Sequence, residues 1–166
     1  MTISEADYRA FVNFEADSWI KLSEHYDTLA GQMTRQAVEA IMEAIALKSG
    51  AEFLDVATGP GYVAAEALRR GAKPIGVDFS PDMVADARQR FPMLSIEQGD
   101  AENLRYADAS FDAVVCAFGM LHFPRPGKAL AEALGLRVGD PITLYSRPGA
   151  DSPFGNLGGL EKTYRV

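Results

Sequence analysis

The chain has 166 residues, enough for one domain with a real core and too few for two ordinary ones. With 48% apolar and 23% charged residues it has the balance of a globular protein, and a net charge of −7 (isoelectric point about 4.8) argues against non-specific binding to nucleic acid or an anionic membrane. One cysteine excludes an internal disulfide and a cysteine-cluster zinc site, and the default setting is the reducing cytoplasm.

Residues 1–17 mix acids with aromatics and lack a basic stretch ahead of an apolar core, so they do not read as a signal peptide. No apolar run approaches the roughly 20 residues of a bilayer span. Residues 4–31 predict an amphipathic helix anchored by Trp19, Ile20, Leu22 and Tyr26. Residues 34–48 predict a second, because Val38, Ile41, Met42 and Ile45 recur at three- and four-residue spacing. Thr34 can cap its start and Ser49-Gly50 can end it. A strand over 52–57 follows, then a helix over 62–70 that stops at Gly71. A second short apolar strand, 74–78, ends in Asp78. Ser80-Pro81-Asp82 then combines a capping hydroxyl, proline at the first helical position and an acid in the first turn; that helix runs to about Phe91, where Pro92 stops it. Residues 95–98 predict a third strand. Residues 112–118 predict a fourth, apolar enough for a strand buried on both faces. A helix over 126–134 follows, and beyond it 141–146 can form a fifth strand while 147–160 read as loop.

Strands alternating with helices mean βαβ units and a parallel sheet. In such sheets ligands bind at the carboxyl ends of the strands. Four signals fall there. Asp55 closes the first strand and is followed by Gly59 and Gly61, which let a ligand approach bare backbone, and by the free N–H groups of a helix start. Asp78 comes 17 residues after Gly61, where an acid commonly takes ribose hydroxyls. Gly99-Asp100-Ala101-Glu102 follows the third strand, and residues 116–123 leave the fourth. Blander readings stand beside these. The glycine loop also suits a tight strand–helix turn or, as Gly-Pro-Gly-Tyr-Val-Ala, a nicotinamide dinucleotide site, although Asp55 and Gly99-Asp100 disfavour the latter. Gly-Asp after a strand is ordinary turn chemistry. Cys116 reads as a small core residue. His122 reads equally as a packing or a pocket residue, and nothing pairs it with His25 as a metal site.

Four stretches carry a resemblance: LDVATGPG (54–61), GVDFSPDMVADAR (76–88), GDAENL (99–104) and SFDAVVCAFGMLHF (110–123). In order and spacing they resemble class I S-adenosylmethionine-dependent methyltransferases, nearest to the group with the ubiquinone and menaquinone C-methyltransferases, over about residues 20–134. The resemblance implies an α/β Rossmann-like three-layer sandwich with a mostly parallel sheet: a helical cap over 1–48, a cofactor-binding core over 49–134 and a divergent segment over 135–166. It implies S-adenosylmethionine as cofactor, S-adenosylhomocysteine as product and a small-molecule acceptor, with no nucleic-acid partner. Asp55, Ala57, Gly59 and Gly61 would surround the methionine part; Asp78 would hold the ribose; Phe79 and Met83 would flank the adenine. Asp100 and the Ala101 N–H would meet the adenine edge, and the Ala117 carbonyl the methionine amine. Tyr26, Gly31 and Thr34 resemble the segment that covers the cofactor in this group.

Methyl transfer is an in-line displacement with a neutral leaving group, so no metal is intrinsically required; the protein orients the acceptor about 3 Å from the methyl. His122 sits where a base for an acidic acceptor can lie. The family pattern is left at Ala133-Leu134-Gly135-Leu136-Arg137-Val138-Gly139-Asp140-Pro141. On that ground the chain reads as C-terminally truncated, with a complete cofactor half and an incomplete acceptor half. Its fifth strand is expected as an exposed apolar edge that invites homodimerisation. A non-catalytic S-adenosylmethionine-binding remnant and a nicotinamide-dependent oxidoreductase are the two alternatives.

Overall fold

The computed structural model describes residues 3–22, 25–134, 141–145 and 161–165. Helix α1 (Glu5–Leu22) has Glu5 and Asp7 in its first turn and Lys21 in its last, matching the helix dipole. The single helix expected over 4–31 is instead interrupted. A wide π-helical turn, Asp27–Gly31, leads straight into α2 (Gln32–Ile45). The turn closes on a glycine because a Cβ at Gly31 would lie 2.7 Å from Asp27 Oδ1. Asp27 itself is held by Arg35 Nη1 at 3.1 Å, Arg90 Nη1 at 2.6 Å and the Tyr62 hydroxyl. Thr34 is therefore no cap. It lies inside α2, where its hydroxyl donates to the Ala30 carbonyl at 3.2 Å and meets the Tyr26 hydroxyl at 2.9 Å. Helix α2 ends at Ile45, with Ala46 in the left-handed region, ahead of the expected Ser49-Gly50 stop.

The central sheet is parallel, in the order β3-β2-β1-β4, with β1 Glu52–Val56, β2 Lys73–Asp78, β3 Ser95–Gln98 and β4 Ala113–Val115. Register sets Asp55 opposite Gly76 on one side and Val115 on the other. Alternation along β1 splits the core between two faces. Phe53, with Val115, packs against Met42 of α2 and Val63 and Ala67 of α3 (Tyr62–Arg69). Leu54 and Val56 pack with Val77, Ala101 and Ala129 of α5 (Pro126–Leu134) on the opposite face. Helix α4 (Pro81–Arg90) joins the α3 side through Val84 and Ala87, which pack with Ala64 of α3, with Leu94 and with Ile96 of β3. The result is the expected three-layer α/β sandwich. The Ser80 cap also holds: its Oγ accepts the Met83 N–H at 3.3 Å, with Pro81 at the first helical position.

Two further expectations need correction. The fourth strand pairs only over Ala113–Val115, because the chain turns away at Phe118 (φ 66°) into a 3-10 turn, Gly119–His122. Ala113 and Val114 are half-buried, as suits the outer strand of this sheet among the described residues. Residues 141–145 do form a strand, β5 (Pro141–Tyr145), but it does not extend the parallel sheet. It pairs antiparallel with β6 (Glu161–Arg165), Thr143 opposite Thr163, in a separate two-stranded ladder that satisfies its backbone groups from one side. The expected loop over 147–160 lies outside the described residues. No helix among the described residues is long and apolar enough to cross a membrane.

Candidate functional site

Asp55 lies on the α3 side of β1 and is 1% exposed. Its Oδ2 accepts the Thr58 hydroxyl at 2.7 Å and the Ala64 N–H at 3.1 Å, tying the strand end to the glycine loop and to the first turn of α3. Its Oδ1 is buried with no hydrogen-bond partner among the described residues. Burial pushes the carboxyl up to about 7, against the pull of the Thr58 and Ala64 bonds. After Asp55 the backbone enters the left-handed region at Ala57 (φ 55°), Gly59 (φ 53°) and Gly61 (φ 85°). Only the glycines occupy it without strain.

Asp78 ends β2 beside this loop. Its Oδ2 accepts the Gly59 N–H at 2.8 Å and its Oδ1 accepts the Ser80 N–H at 2.9 Å. Burial raises its pKa too, and the backbone bonds from Ser80 and Gly59 oppose the shift. A cavity of about 210 Å3 opens here, and Ala57, Asp78, Phe79, Asp100, Ala101 and His122 all line it. The fold thus gathers residues from the ends of all four parallel strands into one wall.

The other expected residues sit behind that wall. Asp55, Gly59 and Gly61 shape the loop without lining the cavity. Met83 is buried in α4, where its N–H takes the Ser80 cap, and does not line the cavity. Ala117 packs against the Phe53 and Met42 side of the sheet. Asp100 is exposed, and its Oδ1 accepts the Glu102 N–H at 2.8 Å, closing a tight turn. Cys116 is partly buried and packs against the Leu54 and Val56 cluster; burial pushes its thiol up to about 12, with the Asp55 charge adding to the rise.

Helix α1 supplies a wall that sequence reasoning missed. Tyr8, Val12 and Glu15 line the cavity opposite the strand ends. Glu15 Oε2 stands 2.8 Å from His122 Nδ1 and accepts the Trp19 indole N–H at 3.2 Å. The Trp19 and His122 rings meet edge-on, centroids 4.9 Å apart. A second tie runs through Glu102, 1% exposed, which accepts the Arg125 N–H at 2.6 Å and Arg125 Nε at 2.7 Å; the Arg125 guanidinium lies 4.2 Å over the Tyr8 ring. The available signal was the spacing 8, 12, 15, 19, which sets Tyr8, Val12, Glu15 and Trp19 on one helical stripe. Tyr26 completes the cover, with its hydroxyl beside the Gly59 loop, 4.0 Å from where a Cβ at Gly59 would stand. Among the described residues no group of three His, Cys, Asp or Glu could hold a metal.

Residues 53–136 match the family model described as a methyltransferase domain. This chain belongs to that methyltransferase family. A demethylmenaquinone methyltransferase of Deinococcus radiodurans is 48% identical over 124 residues, covering 70% of this chain and 51% of that protein. One of Beutenbergia cavernae is 36% identical over 108 residues, covering 65% and 45%. A solved putative methyltransferase of Bacillus halodurans superposes with a TM-score of 0.56 at 32% identity, covering 66% of this chain and 50% of that one. The methyltransferase chain spans about half the length of the curated relatives it matches.

Proposed function

We propose that this methyltransferase domain binds S-adenosylmethionine in the cavity at the strand ends and transfers its methyl group to a small-molecule acceptor. The observation that carries the reading is the state of Asp78. A carboxylate has about four lone-pair sites. Backbone N–H groups of Gly59 and Ser80 occupy one on each oxygen, which fixes the carboxylate in place. The remaining sites can accept the two hydroxyls of a ribose, in a cavity otherwise walled by Phe79, Val77 and Ala101, which suit a flat adenine. The residues present therefore fit the group that the family implies.

Each part then has a task. Phe79 packs on the base; the Asp100 carboxylate and the Ala101 N–H meet its edge. Ala57 faces the methionine part, with Asp55, Gly59 and Gly61 shaping the loop behind it, and the Ala117 carbonyl takes the amine. Met83 supports this wall from behind, since it is buried in α4. The bound sulfonium supplies an activated methyl group, and the protein's work is orientation and exclusion of water. Helix α1 and Tyr26 cover the site and do the excluding. His122 lies on the cavity wall and is able to take a proton from the acceptor. We assign residues 1–48 as cover and 49–134 as cofactor core, and the cytoplasm as the setting. The names of the relatives point to a quinone-like acceptor.

Calorimetric titration with S-adenosylhomocysteine tests the reading, with Asp78→Ala alongside. Micromolar binding that the variant loses supports it. Binding of a reduced nicotinamide in its place, seen as a fluorescence change, overturns it in favour of the oxidoreductase. Turnover is checked with reduced demethylmenaquinone; tight binding without turnover on any acceptor tried would leave a cofactor-binding module.

A further inference from the structure

Glu15 and His122 are 107 residues apart in sequence, and they meet at the cavity between α1 and the 3-10 turn. The indole N–H of Trp19 can only donate, so Glu15 Oε2, which receives it, acts as an acceptor. That oxygen is 2.8 Å from His122 Nδ1; an ionised carboxylate has no hydrogen to give, so with Glu15 charged the hydrogen of that contact belongs on Nδ1. A neutral imidazole carries one N–H, so Nε2 keeps a lone pair. Among the described residues Nε2 has no hydrogen-bond partner. The Trp19 ring, edge-on at 4.9 Å, restricts rotation of the imidazole. The other charged groups around the cavity are Asp78 at the end of β2 and Asp100 and Glu102 after β3; Glu102 is engaged by Arg125.

We propose that Glu15 is the positioning residue for His122: it fixes the Nδ1–H tautomer and the ring plane, so that Nε2 is the basic atom presented to the methyl acceptor. The inference rests on the methyl-transfer reading above. It also narrows the acceptor to one that sheds a proton on methylation, such as a hydroxyl compound or the hydroxyl-bearing ring of a reduced quinone. Nε2 takes the proton that the acceptor gives up, as an electron pair of the acceptor bonds the methyl carbon and the carbon–sulfur pair stays on sulfur. The positive charge given up at sulfur is then carried by the imidazolium, beside the Glu15 carboxylate. A carboxylate that orients a histidine through Nδ1 is the arrangement by which a base is held in one tautomer.

The test is two-bond 1H–15N correlation of the imidazole nitrogens at about pH 8, above the ordinary titration range of imidazole. The chain has two histidines, so exposed His25 is the internal reference. Wild-type His122 is expected as the Nδ1–H form. Glu15→Gln keeps it, because the amide carbonyl still accepts from Nδ1. Glu15→Leu loses it and moves His122 to the Nε2–H form. Wild-type His122 in the Nε2–H form, or an Nδ1–H form that survives Glu15→Leu, overturns the proposal. The wild-type spectrum alone can do so, which keeps the test decisive if Glu15→Leu does not fold. S-adenosylhomocysteine calorimetry on the wild type judges the cofactor reading separately: no binding with the Nδ1–H tautomer present rejects methyl transfer and leaves the Glu15–His122 geometry standing.

Discussion

The Asp78 carboxylate accepts the N–H of Gly59 at 2.8 Å, so the acid that ends β2 is fastened to the glycine loop that leaves β1. Neighbouring parallel strands thereby share one anchor at the point where the proposed cofactor sits. The loop cannot drift from the acid, and the acid cannot turn away from the cavity, without breaking a charge-assisted bond to backbone.

Replacing Asp78 by alanine removes that anchor and the acceptor for ribose hydroxyls together. Hydrogen bonds to a charged group are worth about 1.5–3 kcal/mol, so S-adenosylhomocysteine should bind roughly 10- to 100-fold more weakly. The unfolding midpoint in urea should fall too, because the Gly59 and Ser80 N–H groups lose their partner. Asp78→Asn, which retains one carbonyl oxygen, should lie between wild type and alanine in both measurements. Unchanged affinity in Asp78→Ala would place the cofactor elsewhere.

The parallel strands, the glycine loop and the Ser80-Pro81 helix start were legible because each is a local signal: buried apolar runs, positive-φ glycines, a capping hydroxyl. What sequence reasoning missed depends on contacts made at long range. The break at Asp27–Gly31 is set by Arg90 and Tyr62, which lie 63 and 35 residues away. The α1 wall exists because Glu15 finds His122 and Tyr8 finds Arg125. The early end of β4 turns on Phe118 at φ 66°, a conformation that an aromatic residue gives no sign of adopting. The partner of β5 is Glu161–Arg165, a largely polar strand with no apolar stripe to announce it.

Asp55 gives a pH prediction with a definite sign. Burial raises its folded-state pKa to about 7 from the ordinary 3.8. Between those values the native protein holds a proton that the unfolded chain has released, so stability from this group falls as pH rises through that window and levels off above it. Asp78 shifts in the same direction and adds to the fall. Urea denaturation at intervals from about pH 4 to 8 should show Asp55→Asn losing less stability over the window than wild type, by an amount on the order of a few kcal/mol. Parallel curves for the two proteins would show that the buried carboxyl ionises without penalty.

Glu102 should matter more to stability than the arginine it binds. It receives both the backbone N–H and Nε of Arg125 while 1% exposed. Glu102→Ala leaves a void and strips both donors, at a cost of about 2–4 kcal/mol. Arg125→Ala keeps the backbone bond and removes a partly exposed side chain, so its loss should be the smaller one. Denaturant midpoints of the two variants give the order directly. The reverse order would mean that the stacking of Arg125 on Tyr8 outweighs the buried acceptor.

Gly119 is fixed by a close approach. A Cβ there would stand 2.5 Å from the Ala57 Cβ and 3.0 Å from Cys116 Sγ. Ala57 cannot easily retreat, because it is already held at φ 55° and lines the cavity. Gly119→Ala should therefore cost about 1–3 kcal/mol in stability and weaken S-adenosylhomocysteine binding through displacement of the Ala57 turn. Ala57→Gly removes the opposing methyl and suits the left-handed backbone better, so the double variant should recover most of the loss. A double-mutant cycle is expected to give a coupling of about 1 kcal/mol or more between the two sites. Gly127→Ala, where a Cβ would meet nothing within 4 Å, is the neutral control. Additive effects of the two changes would show that Gly119 is required for its backbone alone, and not for the contact with the turn that ends β1.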